Sequence, residues 1–153
     1  MATVFWDAHG IIHIDYLEKG KTITGEYYSK LLDLFDADLK QKRLHLAKKK
    51  VLFHQDNAPA HKCAVAMAKL YELRYELVPH PPYSPDLAPS DYYLFPDLKK
   101  WLGGKRFESN GEVIAATEAY FKDFEKSYYS KGIEKLENRW TKCIELNGDY
   151  IEK

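Results

Sequence analysis

The spacing of hydrophobic positions changes along this chain, and each change predicts a different element. Residues 3–7 and 11–17 are two runs rich in β-branched and aromatic residues, separated by Ala8, His9 and Gly10. This pattern is typical of a tight hairpin, so two antiparallel strands are expected at the start. After them Thr24 can cap a helix that reaches the basic stretch near Arg43. Its apolar positions recur at helical spacing: Tyr28, Leu31, Leu32, Phe35 and Leu39.

A short continuous apolar run, Val51–Phe53, predicts a third strand buried on both faces. It ends at the polar segment His54–Asn57. Pro59 can open the next helix, and residues 75–78 predict a fourth strand. The apolar stripe expected on that helix is Ala64, Met67, Ala68 and Tyr71. This alternation of strands and helices indicates an α/β protein with a mixed sheet.

Five prolines interrupt residues 79–89 and predict a stiff, extended connector. Ser90 can cap a helix that starts at Asp91. Pro96 should break or kink this helix after its first turn, because proline lacks the amide that an interior helical turn uses. The pair Gly103 and Gly104 should end it.

Two more helices are predicted towards the end of the chain. Ser109 and Glu112 form a capping box, which marks the start of the first. Its apolar face consists of Val113, Ala116, Tyr120, Phe121 and Phe124. The second should end at Asn147 and Gly148. Its apolar positions are Ile133, Leu136, Trp140, Cys143 and Ile144.

Composition narrows the class of protein. A chain of 153 residues with 45% hydrophobic content is the size of one domain, and 14% aromatic content argues against disorder. The net charge is zero, so bulk charge does not indicate a nucleic-acid partner. The two cysteines, Cys63 and Cys143, are far apart and support neither a disulfide framework nor a zinc knuckle. No apolar run approaches the roughly 18 residues of a membrane span, so no membrane partner is expected.

Two polar segments carry the chemistry. Alone, Asp56 and Asn57 are typical of an Asx-type turn, and Asp91 is typical of a first helical turn. Together, the stretches His54–His61 and His80–Tyr92 closely resemble the paired signatures of the mariner branch of the Tc1/mariner transposases. Thirty-four residues separate Asp56 from Asp91, which is the mariner spacing of the second and third catalytic aspartates. The resemblance extends over nearly the whole chain.

The resemblance implies an RNase H-like fold, a mixed sheet flanked by helices, and a DNA transposase that cleaves and joins strands at transposon ends. It also implies a cofactor of two Mg²⁺ or Mn²⁺ ions held by three carboxylates, of which Asp56 and Asp91 would be two. Carboxylates suit this purpose because hard divalent ions prefer oxygen ligands. No small-molecule substrate is implied.

The chain also departs from the family pattern. In mariner transposases the first catalytic aspartate lies on a strand upstream of the hairpin, and a helix-turn-helix region for DNA recognition lies further upstream. We therefore expect residues 1–153 to form a partial catalytic domain without the first strand and the helix-turn-helix. Impaired activity is the expected consequence. Asp7 and Asp15 are the nearest local substitutes for the first aspartate.

DNA is the expected partner, and the resemblance adds a homodimer and a nuclear location. The expected phosphate contacts are Lys48, Lys49, Lys105 and Arg106. A second hypothesis stays open, in which the chain is a non-catalytic nucleic-acid-binding module rather than an enzyme. A third, a metal-binding protein, has a ligand spacing that matches no standard zinc site. Its ligands would be His54, His61, His80 and Cys63.

Overall fold

The structure is a computed structural model, and it describes residues 2–81 and 84–146. The main elements, in chain order, are β1 (Ala2–Asp7), β2 (Gly10–Tyr16), α1 (Gly25–Lys42), β3 (Val51–Phe53), α2 (Pro59–Lys62), α3 (Ala64–Glu72), β4 (Tyr75–Leu77), α4 (Phe95–Leu102), α5 (Asn110–Lys122) and α6 (Lys126–Glu145). They divide into two compact units. The first contains Met1–Phe5 and Ile12–Tyr83, and the second contains Trp6–Ile11 and Ser84–Lys153.

Helix α1 organises the core of the first unit. Thr24 is its N-cap, as predicted, and the threonine hydroxyl accepts a hydrogen bond from the Tyr27 amide at 3.1 Å. Phe35 stacks on Phe5 of β1, with ring centroids 4.5 Å apart, and lies 5.7 Å from the ring of Phe53 on β3. The five apolar residues predicted from helical spacing are all buried. The amphipathic pattern of α1 is therefore confirmed.

The strands of the described residues form two small sheets. β1 pairs with β2, and β3 pairs in parallel with β4. The α/β class is confirmed, but the single mixed sheet expected from the sequence is divided into these two pairs. The prediction that β3 is buried on both faces is wrong. Phe53 is buried in the core, whereas Leu52 is 68% exposed, because successive side chains point to opposite faces of a strand.

The helix predicted to begin at Pro59 is two helices. The backbone of Cys63 is extended (ψ 161°) and separates α2 from α3. In α3 the buried residues are Ala66 and Leu70, which lie four positions apart on one face. The predicted stripe is wrong: Tyr71, for example, is 87% exposed. Small and apolar residues occur on all faces of α3, so their spacing did not indicate which face packs on the core. The stripe consisted of Ala64, Met67, Ala68 and Tyr71.

Cys63 also packs closely on the start of α1. A Cβ atom added to Gly25 would overlap the Cys63 sulfur and would lie 3.5 Å from the Cys63 Cβ. The thiol itself donates a hydrogen bond to the Ala60 carbonyl oxygen at 3.4 Å. The close approach of α1 and the α2–α3 junction therefore requires a residue without a side chain, glycine, at position 25.

In the second unit the helix around Pro96 is irregular, as predicted. Ser90–Leu94 forms a π-helical turn that leads into α4, and Pro96 is at the start of α4. Proline cannot donate the hydrogen bond of a regular helical interior, and a wide turn accommodates this loss. The prediction that Ser90 is the N-cap is wrong: its hydroxyl makes no capping bond and accepts a hydrogen bond from Trp6 Nε1 at 3.0 Å. Gly103 follows the last residue of α4, as expected.

Helices α5 and α6 complete the second unit. The Ser109 hydroxyl accepts a hydrogen bond from the Glu112 amide at 3.3 Å, which confirms half of the predicted capping box. The Glu112 carboxylate instead accepts from the Glu108 amide at 2.8 Å. The predicted end of the last helix, at Asn147 and Gly148, lies outside the described residues. None of the described helices is long and apolar enough to cross a membrane.

Arg74 provides a test of backbone strain. It lies between α3 and β4 with a φ angle of 63°, in the left-handed region that costs a residue with a side chain roughly 1–2 kcal/mol. Glycine avoids this strain, but it also gains more freedom in the unfolded chain, which cancels part of the benefit. We therefore expect Arg74→Gly to raise the free energy of unfolding by about 0.5–1 kcal/mol in urea denaturation. Arg74→Ala keeps the strain and is the control. An equal gain in Arg74→Ala would contradict this account.

Candidate active site

Asp56 lies in the irregular segment that follows β3. Its side chain is 48% exposed, and two donors hold one of its carboxylate oxygens. His61 Nδ1 lies 2.7 Å from Asp56 Oδ1, and the Ala58 amide donates to the same oxygen at 3.0 Å. The Asx-type turn is therefore present, and the carboxylate is oriented by an additional histidine. Both hydrogen bonds fall on Oδ1.

His61 is itself held against the core. Its ring packs on the ring of Tyr28 with centroids 4.2 Å apart. The buried Tyr28 hydroxyl donates to Gln55 Oε1 at 2.7 Å, and Gln55 Nε2 donates to the His61 carbonyl oxygen at 3.1 Å. These contacts connect α1 to the Asp56 loop. The sequence pattern identified Tyr28 only as part of an apolar stripe, although a buried tyrosine hydroxyl usually requires a polar partner.

A second set of contacts ties the Asp56 loop to the segment after β4. Asn57 Nδ2 donates to the His80 carbonyl oxygen at 2.8 Å, and His54 Nε2 lies 3.1 Å from His80 Nδ1. Burial, followed by the neighbouring His80, lowers the pKa of His54 to about 4. His54 is therefore neutral at pH 7. Three residues of the two motif segments, His54, Asn57 and His80, thus have structural hydrogen bonds within the first unit.

The electrostatics keep Asp56 ionised. The hydrogen bond from His61, aided by the Ala58 amide, lowers the pKa of Asp56, while partial burial opposes this effect. The negative charge of Asp56 in turn adds to burial in raising the pKa of Tyr28. An ionised, half-exposed carboxylate is the oxygen donor that Mg²⁺ and Mn²⁺ prefer. The donor chemistry at Asp56 therefore fits the metal implied by the resemblance.

Asp91 lies in the π-helical turn of the second unit, where its amide donates to the Ala88 carbonyl oxygen at 2.8 Å. Its side chain is exposed. Asp56 belongs to the first unit. Within residues 2–81 and 84–146, no group of three or more His, Cys, Asp or Glu side chains is placed to hold a metal ion.

The remaining candidate acidic residues have local hydrogen bonds. Asp7 accepts from the His9 amide at 2.9 Å in the hairpin turn, and Asp15 accepts from the Tyr27 hydroxyl. These contacts give both carboxylates a structural role.

The four basic residues expected to contact DNA are all exposed. Lys48 and Lys49 follow a short 3₁₀ turn after α1, and Lys105 and Arg106 follow α4. The ammonium group of Lys105 lies 4.5 Å from the ring centroid of Trp101. Lys105 therefore has a cation–π partner within the protein.

Comparison with known proteins identifies a family model and solved structures that this chain resembles. A family model described as "Transposase (partial DDE domain)" matches residues 1–49. The chain is 37% identical to a solved structure of the Mos1 transposase catalytic domain with raltegravir and Mn, at a TM-score of 0.96, covering 99% of this chain and 76% of that one. The chain belongs to the mariner transposase family. The RNase H-like fold class predicted from the sequence is confirmed by the same match.

Two longer proteins are similar over 99% of this chain. They are human histone-lysine N-methyltransferase SETMAR, at 40% identity, and the Mariner Mos1 transposase of Drosophila mauritiana, at 39%. The chain spans 22% of the first and 45% of the second. A solved Mos1 paired end complex with Mn also matches, with 36% identity, a TM-score of 0.95, and coverage of 99% of this chain and 44% of that one.

The hydrogen bond between His61 and Asp56 gives a pH prediction. Because a lowered pKa in the folded state stabilises the fold above the ordinary aspartate pKa, this stability is lost as pH falls through the lowered value. His61→Phe keeps a ring on Tyr28 but removes the donor. We expect it to raise the pKa of Asp56, measured by ¹³C NMR, and to weaken the loss of stability at acidic pH.

Tyr28→Phe is the matched control for this measurement. It removes the hydroxyl that bonds Gln55 but leaves the ring beneath His61 and the bond to Asp56. A shift of the Asp56 pKa in Tyr28→Phe as large as in His61→Phe would contradict the assignment of His61 as the main cause.

Proposed function

We propose that this chain acts in metal-dependent cleavage and joining of DNA strands at transposon ends, as the catalytic core of a mariner transposase. The observation that carries the proposal is the state of Asp56. Within a motif that matches the family, its carboxylate is ionised, half exposed and oriented by His61 and the Ala58 amide. A carboxylate needed only for a turn would not require the second donor.

Asp56 and Asp91 are the proposed ligands of Mg²⁺ or Mn²⁺. When bound, a pair of such ions stabilises the attacking and leaving oxygens of an in-line phosphodiester displacement. The protein contributes the ligand orientation, which His61 provides for Asp56. Support for the metal comes from the carboxylate chemistry and from the Mos1 catalytic domain that was solved with Mn. These 153 residues supply two of the three carboxylates that the resemblance implies, so we propose that they bind metal weakly and cleave DNA poorly.

Metal binding and DNA nicking test the two ligands together. We expect the purified chain to bind Mn²⁺ in an electron paramagnetic resonance titration, and Asp56→Asn and Asp91→Asn each to weaken binding by about tenfold or more, because a charged oxygen ligand is removed. Nicking of a transposon-end duplex should be near background. Asp33→Asn is the control, since that half-exposed carboxylate pairs with Lys69 on the helical surface.

Two outcomes would overturn these proposals. Mn²⁺ affinity that is unchanged in both ligand variants would remove the metal site. Efficient metal-dependent nicking that both variants abolish would overturn only the proposed impairment, and would show that two carboxylates suffice or that another residue completes the set. Asp7→Asn and Asp15→Asn then identify whether a local substitute acts.

DNA is the proposed partner, and its support is the exposure of the two basic pairs together with the Mos1 paired end complex. A second candidate function, a nucleic-acid-binding module without catalysis, rests on the same exposed lysines and arginine. The two functions differ in their dependence on Asp56. DNA binding that falls steeply with salt, together with Mn²⁺ affinity that Asp56→Asn leaves unchanged, favours the module.

Salt dependence tests the basic residues. Each phosphate contact to duplex DNA contributes a slope of about −0.9 to the plot of log affinity against log salt concentration. We expect the double variant Lys105→Ala/Arg106→Ala to make the slope shallower by up to roughly 1.8, and Lys48→Ala/Lys49→Ala to do the same. Fluorescence anisotropy at several salt concentrations measures it. An unchanged slope for one pair assigns that pair to the solvated surface, which for Lys105 would agree with its contact to Trp101.

The family relationship supports two further proposals. We propose that the chain forms a homodimer and that it acts in the nucleus, where its DNA substrate is found. Light scattering after size-exclusion chromatography tests the first, and imaging of the tagged chain tests the second. A monomer at all concentrations, or exclusion from the nucleus, would contradict them.

A further inference from the structure

The residues that follow Asp91 are bonded to a distant helix. The Tyr92 hydroxyl donates to the Gly132 carbonyl oxygen at 2.6 Å, and the Tyr93 hydroxyl donates to the Tyr128 carbonyl oxygen at 2.8 Å. Both acceptors belong to α6. The backbone next to Asp91 is therefore anchored at two successive positions.

Gly132 allows this approach. It is buried, and an added Cβ atom would overlap the Tyr93 ring at Cδ2 and would lie 2.7 Å from Cε2 and 3.1 Å from Trp6 Cη2. Trp6 is the residue whose indole nitrogen donates to the Ser90 hydroxyl, immediately before Asp91. One small residue in α6 thus accommodates the side chains that hold both sides of the π-helical turn.

Two cations further along α6 cover the same tyrosines. The Arg139 guanidinium lies 4.2 Å from the ring centroid of Tyr92, and Arg139 Nη1 donates to the Asp86 carbonyl oxygen at 3.1 Å. The Lys135 ammonium lies 4.9 Å from the ring centroid of Tyr93. A cation placed over an aromatic face in this way is attracted to the ring, so both contacts hold the tyrosine rings against α6.

The four residues of α6 that make these contacts occupy one face. Tyr128, Gly132, Lys135 and Arg139 recur at intervals of four, three and four, the spacing of a single helical stripe. We propose that this stripe of α6 is the positioning element for Asp91. Gly132 is its central positioning residue. The inference rests on the proposed function, in which Asp91 is a metal ligand, and a ligand must be held to within about 0.5 Å of its productive position.

A double-mutant cycle tests the inference on the full 153-residue chain. Mn²⁺ affinity is measured by electron paramagnetic resonance for the unsubstituted chain, Asp91→Asn, Gly132→Ala and the double variant. We expect Gly132→Ala to weaken binding by about tenfold, as for the loss of other residues that support a ligand. In the Asp91→Asn background it should have no further effect, because both changes act through one carboxylate.

Gly111→Ala is the matched control. It is also a glycine-to-alanine change within a helix, but an added Cβ at Gly111 would meet only the Ser109 hydroxyl oxygen, at an ordinary 3.7 Å. We expect unchanged Mn²⁺ affinity and a slightly higher melting temperature, since alanine is the better helix former. A loss of affinity in Gly111→Ala equal to that in Gly132→Ala would overturn the inference.

Tyr92→Phe covers the case in which Gly132→Ala does not fold. It removes the hydroxyl bond to Gly132 but keeps the ring beneath Arg139, and we expect about threefold weaker Mn²⁺ binding, again absent in the Asp91→Asn background. If Asp91→Asn weakens binding while Tyr92→Phe and any folded Gly132→Ala do not, only the positioning role is wrong. The positioning role is also wrong if Gly132→Ala or Tyr92→Phe weakens Mn²⁺ binding further in the Asp91→Asn background. If Asp91→Asn itself has no effect, Asp91 is not a ligand and the inference falls with that assignment.

Discussion

The burial of the Tyr28 hydroxyl is the constraint on which the Asp56 loop depends. A buried phenol that lacks a partner costs free energy, so the loop after β3 must bring Gln55 to it. The same tyrosine presents its ring to His61, and His61 then holds one oxygen of Asp56. The orientation of the half-exposed Asp56 carboxylate thus depends on the packing of the loop against Tyr28 of α1. This packing explains how a short loop can hold the carboxylate in one orientation.

The elements that could be predicted from the sequence are those determined by neighbouring residues. The N-cap at Thr24 and the apolar face of α1 depend on local hydrogen bonding and on one strong helical period. The irregular turn near Pro96 follows from the missing proline amide. The motif segments also indicated Asp56, and its partner His61 is only five residues away, so this part of the site was within reach of sequence reasoning.

The features that the sequence did not reveal depend on distant contacts. Ser90 has the chemistry of a helix cap, but its hydroxyl bonds the indole of Trp6, eighty-four positions away in the chain. The buried face of α3 depends on the break at Cys63, whose extended backbone separates α2 from α3. The role of Gly132 became visible only when the aromatic side chains around it were placed, because glycine has no chemistry of its own to suggest one.

The contact between Gly25 and the Cys63 thiol couples the residue types that these two positions can hold. Because the sulfur occupies the space that a side chain at position 25 would need, a larger residue there requires a smaller one at position 63 or a shift of the α2–α3 junction. That junction directly follows the loop of Asp56. Substitutions at positions 25 and 63 should therefore occur together in related sequences. A larger residue at position 25 alone would displace the α2–α3 junction and, with it, the Asp56 loop.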